Sequence, residues 1–320
     1  MQKYSIPIAG IIDKKKSVNI REPKIKIFAP ETAYAEYEGS IVVVSSLAHR
    51  DEIIEEIAYK RYNYFVFCFD PTIEIVQKNT YTERQNFLLA HEKELDRIGE
   101  WMYDKQSKTI FYNVIKGAFS NNPDCYKDTS CASQYFPEVI KENLSEKETF
   151  VDLGAFTGDS IKEFILEVNN KFNKIYAFEP NPANLDVART SLCDKRIEFY
   201  QNGVGKESST FYLIEEEDFT QCVEVSNENA KKVEVLKLDD VITEEVTFIK
   251  MDIEGMELDA LKGAEKLIRL YKPKLAISIY HNIDDIVEIP NYIRELNLDY
   301  HFYLRHNWNC NGTDVVLFAI

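Results

Sequence analysis

From Thr149 onward, short β-rich runs recur with longer segments between them: TFVDLG, KIYAFEP, RIEFYQNGVG, VTFIKMD, KLAISIYH, then YHFYLRH and TDVVLFAI. This alternation restricts the fold more than any other feature of the chain. Parallel strands cannot be joined by a tight turn, so a helix must carry the chain back between them. The last two runs are separated only by the polar stretch WNCNGT, which predicts an edge hairpin with one antiparallel strand. The expected architecture of 149–320 is α/β, a mostly parallel, Rossmann-like sheet of seven strands.

The first half of the chain reads differently. In 1–78, IAGIID (Ile8–Asp13), IVVVSS (Ile41–Ser46) and YFVFCFD (Tyr64–Asp70) read as buried strands. Between the last two, Ile53, Ile54, Ile57 and Ala58 share one helical face. Strand, helix, strand makes a small parallel βαβ unit. It lacks the G-x-G-x-x-G turn that brings backbone amides to a pyrophosphate. We read it as a degenerate Rossmann-like unit without nucleotide, suited to docking or homodimer formation. Residues 79–148 form a helical connector and lid. Leu88, Leu89, Leu95, Ile98 and Met102 recur at near-helical spacing, TIFYNVI (Thr109–Ile115) alternates like a strand, and SQYFPEVIKENL suggests a short helix.

Composition excludes several classes of function. There are 54 acidic and 38 basic side chains, a formal charge of −16. A general nucleic-acid binder needs a cationic surface instead. No run of about eighteen apolar residues occurs, so no membrane span is expected. The N-terminus MQKYSIPIAGIIDKKKSVNI has no apolar core followed by a cleavage site. Six scattered cysteines without a C-x-x-C pair read as reduced thiols. The expected location is the cytoplasm.

Ligands of open α/β sheets bind beyond the carboxyl ends of the strands. The first strand of 149–320 delivers Asp152, Gly154 and Ala155 there, followed by Thr157, Gly158, Asp159 and Ser160. No Gly-Lys-Ser/Thr follows, so this is not a phosphate-binding loop. The second strand delivers Glu179, just before Pro180 and Asn181, placed to accept both hydroxyls of a ribose. The third ends at Asn202, Gly203 and Val204, the fourth at Asp252 and the fifth at His281. Lys250, Asp252 and Glu254 alternate along the fourth strand end, with Glu257 starting the next helix. The spacing of these acids could suit a divalent ion, but carboxylate runs are more often solvated, and no metal ligand is assigned.

Three of these segments, VDLGAFTGD, AFEPNP and IKMDIEGMELDALKGA, together with KPKLAISIYH and YLRHNW, resemble the FkbM-type family of S-adenosylmethionine-dependent methyltransferases, which has the class I methyltransferase fold. Each motif alone is weak; their order over 149–320 is specific. The resemblance implies O-methylation of a sugar or glycan-type intermediate in surface polysaccharide or natural-product biosynthesis, with S-adenosylmethionine as donor and S-adenosylhomocysteine as product. It implies that Asp152, Gly154 and Ala155 surround the methionine portion, with Thr157, Asp159 and Ser160 beside them. Glu179 and Pro180 take the ribose, Asn202, Gly203 and Val204 the adenine, and Asp252 the floor. Gln134 and Tyr135 precede the core where a helix often covers the cofactor. His281 is the first candidate for the base and Asp252 the second. Glu254, His281, Arg305 and His306 are candidate acceptor ligands. Two other functions stay open: a binding scaffold that kept the fold, and a methyltransferase for protein or lipid.

Overall fold

The computed structural model divides into two compact units, Met1–Phe69 and Asp70–Ile320. It describes residues 11–12, 27–28, 42–44, 53, 55 and 64–66, and then 81–320 except 121, 128, 216–219, 224–230 and 308–311.

In the first unit, β1 (Ile11–Ile12) pairs in parallel with β2 (Ile27–Phe28), and β3 (Val42–Val44) pairs in parallel with β4 (Tyr64–Val66). Ile53 and Glu55, between β3 and β4, are helical. A helix between two parallel strands matches the βαβ reading. Ile54, Ile57, Ala58 and the rest of the expected strands lie outside the described residues.

The second unit is built on a seven-stranded sheet. Its strands are β5 (Thr149–Leu153), β6 (Lys174–Phe178), β7 (Ile197–Tyr200), β12 (Phe248–Met251), β13 (Lys274–Ser278), β14 (Phe302–His306) and β15 (Val315–Ala319), in the order β14-β15-β13-β12-β5-β6-β7. All pairs are parallel except those of β15, which runs antiparallel to both β13 and β14. The expected class I methyltransferase architecture is therefore present. β6 and β7 extend the sheet to one side of β5, and β12 and β13 to the other. The switch point, where a crevice opens at the strand ends, lies between β5 and β12.

Both faces of the sheet are covered, as central parallel strands require. Every residue of β5, β12 and β15 is buried. Alternation divides the core. Phe150, Phe248, Ala276 and Phe318 pack on one face with Phe136 and Phe164, and Val151, Leu153, Ile249 and Met251 pack on the other.

Two local expectations are corrected. TIFYNVI is not a strand: it lies inside the helix Lys105–Ser120. Its buried residues, Ser107, Ile110, Phe111, Val114 and Gly117, recur at helical spacing, and Asp104 Oδ1 accepts the Ser107 N–H at 2.6 Å to start the helix. Burial of this stripe against the sheet core outweighs the β-propensity of its branched and aromatic residues. The run RIEFYQNGVG is likewise not one strand. β7 stops at Tyr200, and Gly203–Gly205 (β8) joins a second sheet with β9 (Ser209–Glu215), β10 (Thr220–Val223) and β11 (Lys231–Lys237), in the order β10-β9-β11-β8. Among the described residues no helix is long and apolar enough to cross a membrane.

Candidate active site

The turn after β5 is held from three sides. Gly154 and Ala155 both donate backbone N–H bonds to Phe178 O of β6, at 3.0 Å each. Gly154 has φ +82°, and a Cβ there would come within 1.9 Å of the Asp252 carbonyl oxygen. Only glycine fits that approach. From β6, Glu179 Oε2 accepts the Phe156 N–H at 3.0 Å and Oε1 accepts the Asn181 N–H at 2.8 Å. Glu179 thus has a structural task that its position before Pro180 did not reveal: it braces two turns. The Asn184 side chain bonds the same carboxylate, which leaves part of its acceptor capacity for a ligand. Burial holds the carboxyl above its ordinary range, partly offset by the amides of Asn181 and Phe156.

Beneath the turn lies a buried ion pair. Lys250 Nζ of β12 is 3.0 Å from Asp152 Oδ1 of β5, with both side chains almost fully enclosed. Lys250 also donates to the Gly154 carbonyl at 2.7 Å, and the Ser160 hydroxyl donates to Asp152 Oδ2. Burial pushes the Asp152 carboxyl up, against the pull of Lys250 and Ser160. Burial disfavours the Lys250 ammonium, but Asp152 and Asp252 outweigh it and raise its pKa. Asp152 therefore supports the turn from below.

Asp252, one-fifth exposed, follows directly on β12 at the switch point. The Tyr135 hydroxyl donates to Asp252 Oδ2, and the Tyr280 hydroxyl lies 3.4 Å from Oδ1. His281 is 2% exposed; its Nε2 is 3.4 Å from Asp252 Oδ1 and 3.5 Å from Glu254 Oε2, and its Nδ1 is 2.9 Å from Glu257 Oε1. Burial opposes a charged ring, yet Glu257, Asp252 and Glu254 together push the His281 pKa up to about 10. Burial would raise Asp252 as well, but His281, Lys250 and the Tyr135 hydroxyl hold it below the usual carboxylate range.

The other expected residues fall into two groups. Tyr135 joins the crevice through Asp252, with Lys250 Nζ 4.8 Å from its ring centre and half-buried Gln134 next in sequence. Ala155 is buried in the turn, Thr157 and Pro180 are half-buried, and Asp159 is exposed in the first helical turn after Gly158. Gly203 and Val204 are buried in β8, and Asn202 donates to Glu234 O at 3.2 Å. Arg305 and His306 depart from expectation. Arg305 Nη2 is 2.8 Å from Asp104 Oδ2, and Nη1 donates to Ser107 Oγ and Leu304 O, each at 2.8 Å. His306 is fully buried, with Nδ1 2.6 Å from Thr129 Oγ1. These bonds tie the chain before β5 to edge strand β14, and they occupy the groups that an acceptor would need.

Arg305→Ala is accordingly expected to cost about 2–3 kcal/mol of stability, because it strands a charged partner and a buried hydroxyl. Chemical denaturation checks this; a change below about 0.5 kcal/mol would remove the structural role. Asp104 is itself pulled below its ordinary pKa: burial raises it, but Arg305 and Ser107 prevail. A lowered carboxyl pKa stabilises above the unfolded value, so this contribution persists at neutral pH and fades as pH falls through the acid range.

Tyr280, Ser278 and Asp285 escaped the sequence reading. Ser278 and Tyr280 share strand parity, and both approach Asp252. Parity was the available signal. Asp285 accepts from the Asn282 backbone at 3.0 Å, and burial with Glu257 nearby pushes it up to about 8. Nothing local in the sequence marks it.

Comparison with known proteins places this geometry. The family model described as the methyltransferase FkbM domain matches residues 152–302. Among solved structures, methyltransferase FkbM from Methylobacillus flagellatus KT superposes with a TM-score of 0.78 at 22% identity, covering 97% of this chain and 83% of that one. An Aquifex aeolicus SAM-dependent methyltransferase matches with a TM-score of 0.34 at 16% identity, covering 62% of this chain and 97% of that one. Aeropyrum pernix fibrillarin, in complex with natively bound S-adenosyl-L-methionine, matches with a TM-score of 0.35 at 10% identity, covering 55% and 69%. No curated protein matches. The motifs at the ends of β5, β6 and β12, their convergence at the switch point and the family match agree: residues 152–302 of this chain match the methyltransferase FkbM domain.

Proposed function

We propose that the protein transfers a methyl group from S-adenosylmethionine to an oxygen of a small-molecule or glycan-type acceptor. The observation that carries this reading is the turn after β5, pressed against Asp252 through Gly154 and braced by Glu179 at the switch point. At such a switch point a carboxylate with acceptor capacity left is suited to ribose hydroxyls. Asn202, Gly203 and Val204 lie beyond the next strand, where an adenine would follow. Asp152 acts through Lys250 and Ser160 by holding the turn rather than by touching the donor.

The transfer itself is an in-line displacement. The acceptor oxygen forms a bond to the methyl carbon as the carbon–sulfur bond breaks. Its electron pair goes to sulfur, and the hydroxyl proton leaves. The protein's task is to align three atoms and exclude water. As an imidazolium, His281 has no lone pair for that proton, so its role is to bind and orient. Asp252 accepts bonds at the floor of the crevice and is the remaining base within it. Its low pKa makes it a weak one. A sugar acceptor rests on the family resemblance alone.

Calorimetric titration with S-adenosylhomocysteine tests the reading. Wild-type protein is expected to bind one equivalent, and Glu179→Ala to bind at least about tenfold more weakly, since a bidentate contact to a charged group is worth more than about 1.4 kcal/mol. No binding to the wild type would favour the scaffold reading. Labelled-methyl transfer to protein or lipid, but not to free or nucleotide-linked sugars, would replace the acceptor class.

A further inference from the structure

We propose that the ends of β12 and β13 form a divalent-cation site, with His281 Nε2, Asp252 Oδ1 and Glu254 Oε2 as its ligands. Donor atoms of Asp252, Glu257 and His281 lie within 4.8 Å of one another, and Glu254 Oε2 reaches the same ring at 3.5 Å from Nε2. Carboxylates alone would say little, since acids commonly stand together in water. The imidazole decides. His281 is 2% exposed, and its ring nitrogens have carboxylate contacts but no well-formed hydrogen bond. A polar atom left unpaired at that depth costs about 1–3 kcal/mol, so its position calls for a ligand.

The surrounding distances suit an ion. Nε2 stands 3.4 Å from Asp252 Oδ1 and 3.5 Å from Glu254 Oε2. Both are long for a hydrogen bond. They match two ligands that each sit about 2.1 Å from one shared ion, which are roughly 3.0–3.5 Å apart. The second ring nitrogen completes the pattern. Nδ1 is 2.9 Å from Glu257 Oε1, which also accepts the Ile253 N–H at 2.8 Å. An outer carboxylate on Nδ1 fixes the tautomer of a metal-binding histidine and turns the Nε2 lone pair toward the metal. Glu254 approaches from left-handed backbone, φ +58°, and its side chain is one-third exposed, so it can close on an ion.

One nitrogen and two carboxylates suit Zn²⁺ or Mn²⁺ better than Mg²⁺ or Ca²⁺, which take oxygen ligands. Three protein ligands leave a position for an acceptor hydroxyl, whose pKa the ion would lower. The catalytic use rests on the methyl-transfer reading; the binding of the ion does not.

The test uses the full chain stripped with chelator, titrated with Zn²⁺ alone by calorimetry and with Co²⁺ alone by visible absorption. Wild-type protein is expected to take up one ion at this site and to give a cobalt ligand-field band. Glu254→Gln leaves the buried His281–Glu257 contact in place and is expected to weaken binding at least tenfold. His281→Gln is expected to abolish the band. Titration of Glu254→Gln with S-adenosylhomocysteine reads the donor site separately, so loss of the ion with donor affinity intact separates the two proposals. Absence of saturable binding by the wild type overturns the site. So does binding that both variants leave unchanged.

Discussion

Gly154→Ala is expected to lower stability by about 3–5 kcal/mol and to abolish S-adenosylhomocysteine binding. Two costs add. At φ +82° any side chain is strained, by about 1–3 kcal/mol. The new Cβ also lands 1.9 Å from the Asp252 carbonyl oxygen, and that contact is backbone, which cannot rotate away. Relief requires β5 and β12 to separate at their carboxyl ends, where Lys250, Asp152 and the turn amides meet. In a unit of this size the stability loss corresponds to a melting temperature lower by roughly 6–20 °C. Differential scanning calorimetry with a ligand titration reads both effects. A variant that melts within about 2 °C of wild type and still binds would show that the close approach at Gly154 is not needed.

Lys250→Met is expected to be nearly as damaging, at about 3–5 kcal/mol, because it leaves Asp152 buried and uncompensated. The same change removes the 2.7 Å bond to the Gly154 carbonyl. The double variant Asp152→Asn with Lys250→Met is expected to recover part of the loss, since it removes the stranded charge. Urea denaturation of the two singles and the double measures the coupling. If the double variant loses the sum of the two singles, the residues act independently and the pair is not the support of the turn. Because Lys250 touches Gly154, its variant is also expected to couple with Gly154→Ala rather than add to it.

Much of the site was legible because strand ends in a parallel sheet carry their functional residues at predictable places. Asp152, Glu179, Asp252 and His281 each lie at or near the end of a β-rich run, and the fold brings them to the same end of the sheet, at or beside the switch point. Roles were less legible than positions. Glu179 reads as a ribose ligand from its place after β6, yet it also holds the Phe156 and Asn181 amides. His281 reads as a neutral base from its intrinsic pKa, yet three carboxylates from another segment reset it. Arg305 and His306 end a strand too, but β14 is the outermost strand, and helix Lys105–Ser120 and Thr129 claim their polar groups. An end-of-strand position therefore places a residue beside the switch point in the middle of the sheet and does not do so at the sheet edge.

The sequence by itself determined the alternation of strands and helices, the parallel sheet, the glycine turn after β5 and the motifs that the FkbM domain model matches. These rest on local patterns: burial on both faces, the reach of a crossover and the spacing of turn residues. Only the tertiary structure decided that Lys250 answers Asp152, that TIFYNVI is helical, that β8 leaves the main sheet and that His281 sits among Asp252, Glu254 and Glu257. Each of those outcomes is set by desolvation and by partners distant in the chain. Burial makes an unpaired charge costly, and which partner relieves it depends on which segments the fold brings together.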